Sequence, residues 1–151
     1  MSRAPLLALA FVAACAPASG PGATPAPRYL TAPDSAMRTL PFSEAVQVGD
    51  LLFLSGQIGA APGTLALAPG GLEGEAAQAM ENIKAVLLRH GSSLDRVVKC
   101  TIFLADMRDW PAFNAIYRRY FTPGHYPARS ALGANGLALG AKVEVECIAS
   151  R

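Results

Sequence analysis

Arg129 and Glu144 are the residues of this chain whose types and spacing best fit chemistry on a small organic acid. Arg129 lies in the run Tyr-Pro-Ala-Arg-Ser at 126–130, and Glu144 lies in Lys-Val-Glu-Val-Glu at 142–146. A guanidinium is the side chain best shaped to hold a carboxylate through two parallel hydrogen bonds. A carboxylate nearby can orient or deprotonate a water molecule. Together they predict a pocket that binds a small organic acid and adds water to it.

A structural role competes with this chemistry for the same residues. Position alone favours a salt bridge for Arg129 at a subunit contact, with Glu144 itself as one candidate partner. Glu146 follows Glu144 on the same strand face and fits a solvated or interface carboxylate. His90 and His125 fit a helix end and a loop, so neither is assigned to catalysis. Three cysteines and two histidines without close spacing predict no metal site.

Length and composition limit the class of protein. The 151 residues fit one domain with a single core. Hydrophobic residues make up 52% of the chain and charged residues 16%, which is a globular composition with an apolar bias. The formal net charge is only +2 and no Lys/Arg cluster stands out, so the sequence gives no indication of nucleic-acid binding.

The first fifteen residues have the organisation of an export signal. Arg3 supplies a short positive region, and the apolar stretch at 6–12 is shorter than the roughly 20 residues that span a membrane. The run Val-Ala-Ala-Cys at 12–15 resembles the bacterial lipobox, in which the cysteine is lipidated and becomes the new N-terminus. We therefore expect a lipoprotein signal peptide at 1–15 that ends at Cys15, with an ordinary cleaved signal as the alternative.

The rest of the N-terminal region predicts how the protein is anchored. Residues 16–33, rich in Pro, Gly and Ala, form a predicted tether, and residues 34–151 form the predicted folded domain. The protein is then extracytoplasmic and touches the membrane only through its lipid. Ala16, in place of an aspartate, slightly favours the outer membrane. A soluble periplasmic or secreted protein is the alternative.

The remaining cysteines, Cys100 and Cys147, both fall in predicted strands where they alternate with apolar residues. The predicted compartment is oxidising, which allows a disulfide if the two Cα atoms lie within about 7 Å. Strand neighbours rarely have the required geometry. We therefore expect two buried free thiols that pack as small hydrophobic side chains.

Hydrophobic patterning predicts the order hairpin, helix, strand, helix, strand, strand. The predicted elements are a hairpin at 45–54 around Gly49-Asp50, a helix at 72–90 ended by Gly91, a strand at 97–104, a helix capped by Asp109, and strands at 129–132 and 142–149. Both helices are expected on one face of a mixed sheet, because each has one apolar stripe.

The opposite face of this sheet is expected to stay open within one chain. Phe103, Ile148, Val97 and Leu52 are the residues predicted to line it. Because the strand at 97–104 is apolar on both faces, we expect it to be buried on both sides. An open apolar face of this size is commonly covered by another subunit, which predicts a homo-oligomer.

Seven short sequence runs, distributed along the predicted domain, allow it to be compared with known protein families. They are PFSEAV at 41–46, LSGQIG at 54–59, ENIKA at 81–85, VVK at 97–99, NAIY at 114–117, PARS at 127–130 and VEVE at 143–146. In their order and spacing they closely resemble the Rid family (reactive intermediate deaminase, also called YjgF or endoribonuclease L-PSP). The resemblance covers roughly residues 38–149.

The resemblance implies a chorismate-mutase-like α+β fold and a homotrimer whose sheets surround the threefold axis, with pockets at the subunit clefts. It also implies hydrolysis of enamines and imines such as 2-aminoacrylate to 2-oxo acids and ammonia, without a cofactor. By position, Arg129 matches the family's carboxylate-binding arginine. Glu144 matches the glutamate credited with placing the attacking water.

Further positions match the lining of the family's pocket. These are Asn114 and the segment Ser55-Gly56, although Asn114 fits a local structural bridge equally well. Phe42 replaces a tyrosine, and Ala131 replaces a cysteine, that are common in the best-studied branch of the family. The two departures predict a different subgroup, with an altered substrate range or weaker activity.

Two other functions remain open on the sequence. One is a non-catalytic trimer on the cell envelope that binds a carboxylate ligand or acts as a scaffold. The predicted extracytoplasmic location favours this non-catalytic function somewhat, because the resemblance implies substrates that arise mainly from cytoplasmic pyridoxal-phosphate enzymes. The other is the ribonuclease of the older family name, against which the weak net charge argues.

Overall fold

A computed structural model describes residues 25–32 and 37–151 of the chain. The predicted signal peptide, Cys15 and most of the predicted tether lie outside the described residues. Within the described residues, none of the helices combines the length and the apolar character needed to cross a membrane.

Seven strands and two α-helices make up the described domain. The strands are β1 (Arg28–Leu30), β2 (Ala45–Val48), β3 (Leu51–Leu54), β4 (Gln57–Ile58), β5 (Val97–Leu104), β6 (Ala128–Gly133) and β7 (Val143–Ser150), and the helices are α1 (Gly71–Arg89) and α2 (Trp110–Tyr117). The strands form one sheet in the order β1-β2-β3-β7-β5-β6, and β4 pairs with β7. Only the β5–β6 pair among these is parallel, so the predicted α+β fold with a mixed sheet and two helices is confirmed.

The predicted hairpin and first helix both form where the pattern placed them. Gly49 has φ +57°, a left-handed conformation that glycine adopts at little cost, and it turns β2 into β3. Helix α1 buries a stripe that includes Met80, Ile83 and Leu87, and Gly91 follows it with φ +78°. Asp109 precedes α2 as predicted, but its side chain makes no capping hydrogen bond. The prediction that this side chain caps the helix is therefore wrong.

One strand forms inside the predicted tether. β1 pairs antiparallel with β2, and the Arg28 guanidinium also donates a hydrogen bond to Gln47 Oε1 at 3.2 Å. The sheet therefore begins at Arg28, ahead of the predicted domain start at position 34. A three-residue strand is too short for a pattern of alternating side chains to reveal it.

The sheet has a buried face under the helices and an open face, as predicted. Two of the residues assigned to the open face lie on the buried face instead. Leu52 is fully buried under the helices, whereas Phe53 beside it is on the open face. Val97 is also buried, because a register shift between Val97 and Lys99 leaves Val98 as an extra, 48% exposed residue. The predictions that Leu52 and Val97 line the open face, and that β5 is buried on both sides, are therefore wrong for the single chain.

The expectation of two free thiols is also wrong. Cys100 and Cys147 form a disulfide, with 4.1 Å between their Cα atoms. They lie directly opposite each other on the antiparallel strands β5 and β7, and both point into the core under the helices. Directly opposite residues of the narrow pair type bring their Cβ atoms close enough for a bond. The disulfide geometry that strand neighbours rarely have is present between Cys100 and Cys147.

Loss of this disulfide is expected to lower the free energy of unfolding by about 2–4 kcal/mol, because it joins positions 47 residues apart and restricts the unfolded chain. Denaturant unfolding of the protein with and without a reductant measures the effect. A variant with both cysteines changed to alanine is the control, since its midpoint should not respond to the reductant. Equal midpoints for the oxidised and reduced wild-type protein would contradict the prediction.

Candidate active site

The predicted site residues fall into two groups on opposite faces of the sheet. In the parallel β5–β6 pair, Arg129 lies beside Cys100 and Ala131 lies beside Ile102. Cys100 and Ile102 are buried under the helices, so Arg129 and Ala131 lie on the helix-covered face. Glu144 lies beside Phe103 and Ile58, on the open face. One chain therefore does not bring Arg129 and Glu144 into a common pocket.

Arg129 is held by aromatic rings. Its guanidinium carbon lies 4.4 Å from the centroid of the Trp110 ring and 4.7 Å from that of Tyr117. Contacts of this kind attract a cation to the ring face but use none of its five N–H donors. Among the described residues Arg129 makes no ion pair, so it forms no salt bridge with the Glu144 of its own chain. Its donors remain available to a ligand.

A cleft of about 660 Å³ opens in front of this guanidinium. The described residues that line it include no aspartate or glutamate, and they are Met107, Trp110, Asn114, Tyr117, Arg118, Tyr126, Pro127, Arg129 and Ala131. The lining is thus aromatic and positively charged. Such a cleft favours a small anion with an apolar part.

Two buried polar atoms beside Arg129 have no hydrogen-bond partner among the described residues. They are Asn114 Oδ1, as its amide is oriented, and the hydroxyl of Tyr117. Burial raises the pKa of Tyr117 to about 12, with Arg129 acting in the opposite direction, so the phenol stays protonated at neutral pH. A buried acceptor without a partner is costly. A ligand with an N–H group would satisfy Asn114.

Trp110 and Tyr117 line the cleft but were not predicted as site residues, because they belong to the apolar stripe of the second helix. Trp110, Asn114 and Tyr117 are spaced i, i+4 and i+7 along α2, which places all three on one helix face. A polar asparagine within an aromatic face was the signal that could have identified them. We call Trp110, Asn114, Tyr117, Arg129 and Ala131 the arginine half-site.

Glu144 lies against the backbone of Gly56. A Cβ atom added to Gly56 would come within 1.9 Å of Glu144 Oε1, so only glycine allows the carboxylate to occupy this position. Burial, and in second place the charge of Glu146, raise the pKa of Glu144 above that of an ordinary glutamate. Glu144 is thus a stronger proton acceptor than an ordinary glutamate.

Ser55 and Phe42 adjoin this carboxylate through the backbone. The Ser55 N–H donates to the carbonyl of Glu44 at 3.0 Å, and the Ser55 hydroxyl donates to the carbonyl of Ser43 at 2.7 Å. These bonds hold the segment that carries Phe42, whose side chain is 53% exposed, beside the loop at Ser55-Gly56. We call Phe42, Ser55, Gly56 and Glu144 the glutamate half-site.

The glutamate half-site is tied to the end of α1. The Glu44 carboxylate contacts both Arg89 and His90, with 2.8 Å between Glu44 Oε2 and His90 Nε2. Because Glu44 also accepts the Ser55 N–H through its carbonyl, the helix end fixes the loop that carries the half-site. Within the described residues, no group of three or more His, Cys, Asp or Glu side chains could hold a metal ion.

Gly56→Ala is expected to keep the protein folded but to displace the Glu144 carboxylate, because the atom that the new Cβ meets is the end of a flexible side chain. Any catalytic rate that depends on the placement of Glu144 should fall by at least about 10-fold. This loss is smaller than the full effect of a general base, which is about 10²–10⁴-fold. Circular dichroism and steady-state kinetics of the variant test this. In a Glu144→Ala background the same substitution should have no further effect; an equal loss in both backgrounds would contradict the steric explanation.

The fold and the two half-sites define a class: a small α+β protein with an arginine-bearing cleft suited to a small anion and a separate, partly buried glutamate. Comparison with known proteins agrees with this class. The family model described as Endoribonuclease L-PSP matches residues 32–151.

Characterised relatives and solved structures cover most of the domain. The chain is 44% identical to the mouse protein named 2-iminobutanoate/2-iminopropanoate deaminase, over 72% of this chain and 80% of the mouse protein. It is 46% identical to Protein DfrA of Myxococcus xanthus, over 72% and 84%. The crystal structure of E. coli TdcF with bound serine superposes with a TM-score of 0.69 at 31% identity, over 82% of this chain and 94% of TdcF.

The chain belongs to the endoribonuclease L-PSP family, also known as the Rid family. The family assignment made from the sequence is confirmed. The crystal structure of the yeast protein YEO7 matches the fold with a TM-score of 0.75 at 41% identity, over 83% of this chain and 99% of YEO7.

Proposed function

We propose that this protein hydrolyses imines and enamines of small 2-amino acids, such as 2-aminoacrylate, to 2-oxo acids and ammonia. The observation that carries the proposal is the Arg129 guanidinium, which is held by two rings and unpaired among the described residues, in a cleft beside the unsatisfied Asn114 Oδ1. The names of the mouse deaminase and of TdcF with bound serine support a site for a small amino-acid-like carboxylate.

The arginine half-site accounts for binding. Arg129 holds the substrate carboxylate through two charge-assisted hydrogen bonds, and Trp110 and Tyr117 limit the rotation of its guanidinium. Asn114 Oδ1 accepts a hydrogen bond from the imine N–H. Because this contact favours the protonated nitrogen, it leaves the imine carbon more open to attack by water.

The glutamate half-site supplies the water, and we propose that it comes from a second copy of the chain. The two half-sites lie on opposite faces of one sheet, so a neighbouring subunit in a homotrimer has to bring its Glu144 to the cleft of Arg129. The partly apolar open face, with Phe53, Phe103 and Ile148, supports packing against another copy.

The proposed reaction proceeds in three proton transfers. Glu144 removes a proton from water as the water oxygen bonds to the carbon of the protonated imine, and the C=N electron pair moves to nitrogen to form a neutral carbinolamine. Glu144 then gives this proton to the nitrogen. The C–N bond breaks with release of ammonia as the C=O bond of the 2-oxo acid forms, and Glu144 takes up the hydroxyl proton and passes it to the departing ammonia. An enamine first takes a proton on carbon to give the imine. No cofactor is required.

The acid limb of the pH profile should depend on Glu146. Because Glu144 must be ionised to act as a base, the rate falls as the pH drops through its pKa. The charge of Glu146 raises that pKa, so Glu146→Gln should lower it and move the acid limb of kcat/KM to lower pH. The exposed Glu73→Gln removes the same formal charge and should leave the limb in place. Equal profiles for all three proteins would contradict the influence of Glu146 on the acid limb.

We also propose that the protein is exported and lipid-anchored at Cys15 on the extracytoplasmic side, with the outer membrane slightly favoured. The Cys100–Cys147 disulfide supports this, because disulfides persist in oxidising compartments. Metabolic labelling with a fatty acid and membrane fractionation test the anchor. Wild-type chain should carry the label in the envelope, and Cys15→Ala should not; an unlabelled wild-type chain would contradict lipidation.

The experiment that tests the proposed reaction uses residues 16–151 and imines generated in place by an amino-acid oxidase, with catalase to remove peroxide. Semicarbazide competes for the free imine, so an active deaminase should lower semicarbazone formation and speed ammonia release. The opposite result is a folded protein that binds 2-oxo acids and yet changes neither the semicarbazone nor the ammonia signal with any imine, small or bulky. That result would contradict the deaminase and support the non-catalytic carboxylate-binding function.

A further inference from the structure

Glu75, on helix α1, is the one buried carboxylic acid among the described residues, and the proposed reaction does not use it. Its Oε2 accepts a hydrogen bond from the backbone N–H of Lys142 at 2.7 Å. Lys142 immediately precedes β7, and Glu144 is the second residue of that strand. A carboxyl group is costly to bury unless a hydrogen bond compensates, and the Lys142 N–H provides one. The bond therefore fixes the point at which β7 begins.

Helix α1 also holds β4, the short strand beside Glu144. Ile58 of β4 lies directly opposite Glu144 in the sheet. The side-chain amide of Asn82 donates hydrogen bonds to the carbonyls of Ile58 and Ala60 at 3.1 and 2.9 Å. Gln78 fixes the orientation of that amide by donating to Asn82 Oδ1 at 2.9 Å. Both strands next to the base are thus bonded to the same helix.

The contacts with the two strands meet at Glu75. A Cβ atom added to Gly59, which follows β4, would lie 2.4 Å from the Cα atom of Glu75. The backbone of Glu75 therefore supports the end of β4, while its carboxylate binds the start of β7. All of these groups belong to one chain and lie away from the cleft, so the arrangement does not depend on what a neighbouring copy covers.

We propose that Glu75 is a positioning residue that holds the start of β7 so that Glu144 keeps its place against Gly56. This inference rests on the proposed deaminase function and adds a residue to the same site. Glu75 does not line the cleft of Arg129, so it acts through Glu144. The effect should be large, because a misplacement of about 1 Å can cost on the order of 100-fold in rate.

Glu75→Met removes the acceptor but keeps the length of the side chain, and methionine suits both a helix and an irregular core. In the oxidase-coupled assay it should lower kcat by about 10-fold or more. Calorimetry should show 2-oxobutanoate binding within about twofold of wild type, because the arginine half-site lies on α2 and β6. Glu75→Gln retains an oxygen acceptor and should keep kcat within about threefold of wild type.

Ser92→Ala is the matched control. Ser92 is the other buried polar residue of the described chain, and its hydroxyl donates to the carbonyl of Ser150, at the opposite end of β7 from Glu144. Its loss should lower the midpoint of thermal unfolding but leave kcat within about twofold of wild type. If Glu75→Met does not fold, Asn82→Ala tests the same placement from the side of β4 and should also lower kcat.

The titration of Glu144 provides a readout that needs no turnover. Burial, ahead of the charge of Glu146, raises the pKa of Glu144. Carbon-13 NMR of protein labelled at the glutamate carboxyl carbons follows this group, which is assigned by its absence in Glu144→Gln. Glu75→Met should move the pKa of Glu144 toward that of an ordinary glutamate, because a displaced carboxylate gains contact with water. Ser92→Ala should leave it in place.

The outcomes separate this inference from the proposed function. A wild-type protein that hydrolyses no imine would overturn the deaminase, and the NMR titration would still decide whether Glu75 holds Glu144. With an active wild type, a kcat for Glu75→Met no lower than that of Ser92→Ala would overturn the inference and leave the deaminase. A loss of 2-oxobutanoate binding as large as the loss of kcat, or an unchanged titration of Glu144, would also overturn it.

Discussion

Replacement of Arg129 by alanine should lower kcat/KM for imine hydrolysis by at least about 100-fold, because two charge-assisted hydrogen bonds to the substrate carboxylate are lost and each contributes about 1.5–3 kcal/mol. The loss should appear in both KM and kcat, since Arg129 also fixes the imine carbon relative to the water. Fold stability should change little. Arg129 is partly exposed on the edge strand β6 and makes only ring contacts among the described residues.

Arg129→Lys distinguishes the charge from the shape of the side chain. Lysine keeps a positive charge but cannot form the planar, two-point contact, so its activity should lie between those of wild type and Arg129→Ala. The comparison uses the oxidase-coupled assay together with thermal unfolding of each variant. Arg129→Ala activity within about threefold of wild type, in a folded protein, would show that the carboxylate is bound elsewhere.

Mixing two inactive variants should restore activity if the two half-sites come from different copies of the chain. Arg129→Ala lacks the guanidinium of the arginine half-site, and Glu144→Gln lacks the carboxylate that we propose as the base. In randomly mixed oligomers about one quarter of the shared sites receive an intact Arg129 from one copy and an intact Glu144 from its neighbour, whatever the size of the ring. Activity should therefore rise from near zero to about one quarter of wild type.

Co-expression of the two variants with different tags, followed by tandem purification, isolates the mixed oligomers and confirms the mixing. Because this removes the unmixed oligomers, a purified mixed trimer has one complete site in three, and its activity should be about one third of wild type. The double variant mixed with Glu144→Gln is the control, because no shared site can then be complete. Mixed oligomers that remain inactive would show that Arg129 and Glu144 of neighbouring copies do not form a shared site. Glu144→Gln should be at least as stable as wild type at neutral pH. The raised pKa of Glu144 means that folded-state stability declines as this carboxylate ionises with rising pH.

The class of fold and the order of its elements were predictable from local patterns. The hairpin around Gly49, the apolar stripe of α1 and the strand at 97–104 each depend on side-chain periodicity or turn chemistry within one segment. The family followed from the order and spacing of seven short runs along the chain. Such features depend on neighbouring residues, so they can be identified before the chain is folded.

The relation between segments distant in the chain was decided only by the tertiary structure. Periodicity showed that Cys100 and Cys147 each lie on a strand, but only the β5–β7 register places them opposite each other. An extra residue at Val98 reversed the face assigned to Val97. Period-two patterns fix which residues share a face, whereas a bulge or a change of register decides which face that is.

The same distinction between local pattern and tertiary contact applies to the residues of the candidate active site. The types of Arg129 and Glu144 were enough to predict carboxylate binding and water activation, because those properties belong to the side chains themselves. Their positions on opposite faces follow from the pairing of β5 with both β6 and β7, where Arg129 lies beside Cys100 and Glu144 beside Phe103. The sequence therefore determined which chemical groups are available. The tertiary structure decided that one chain holds them as two separate half-sites, because strand pairing depends on contacts between distant segments.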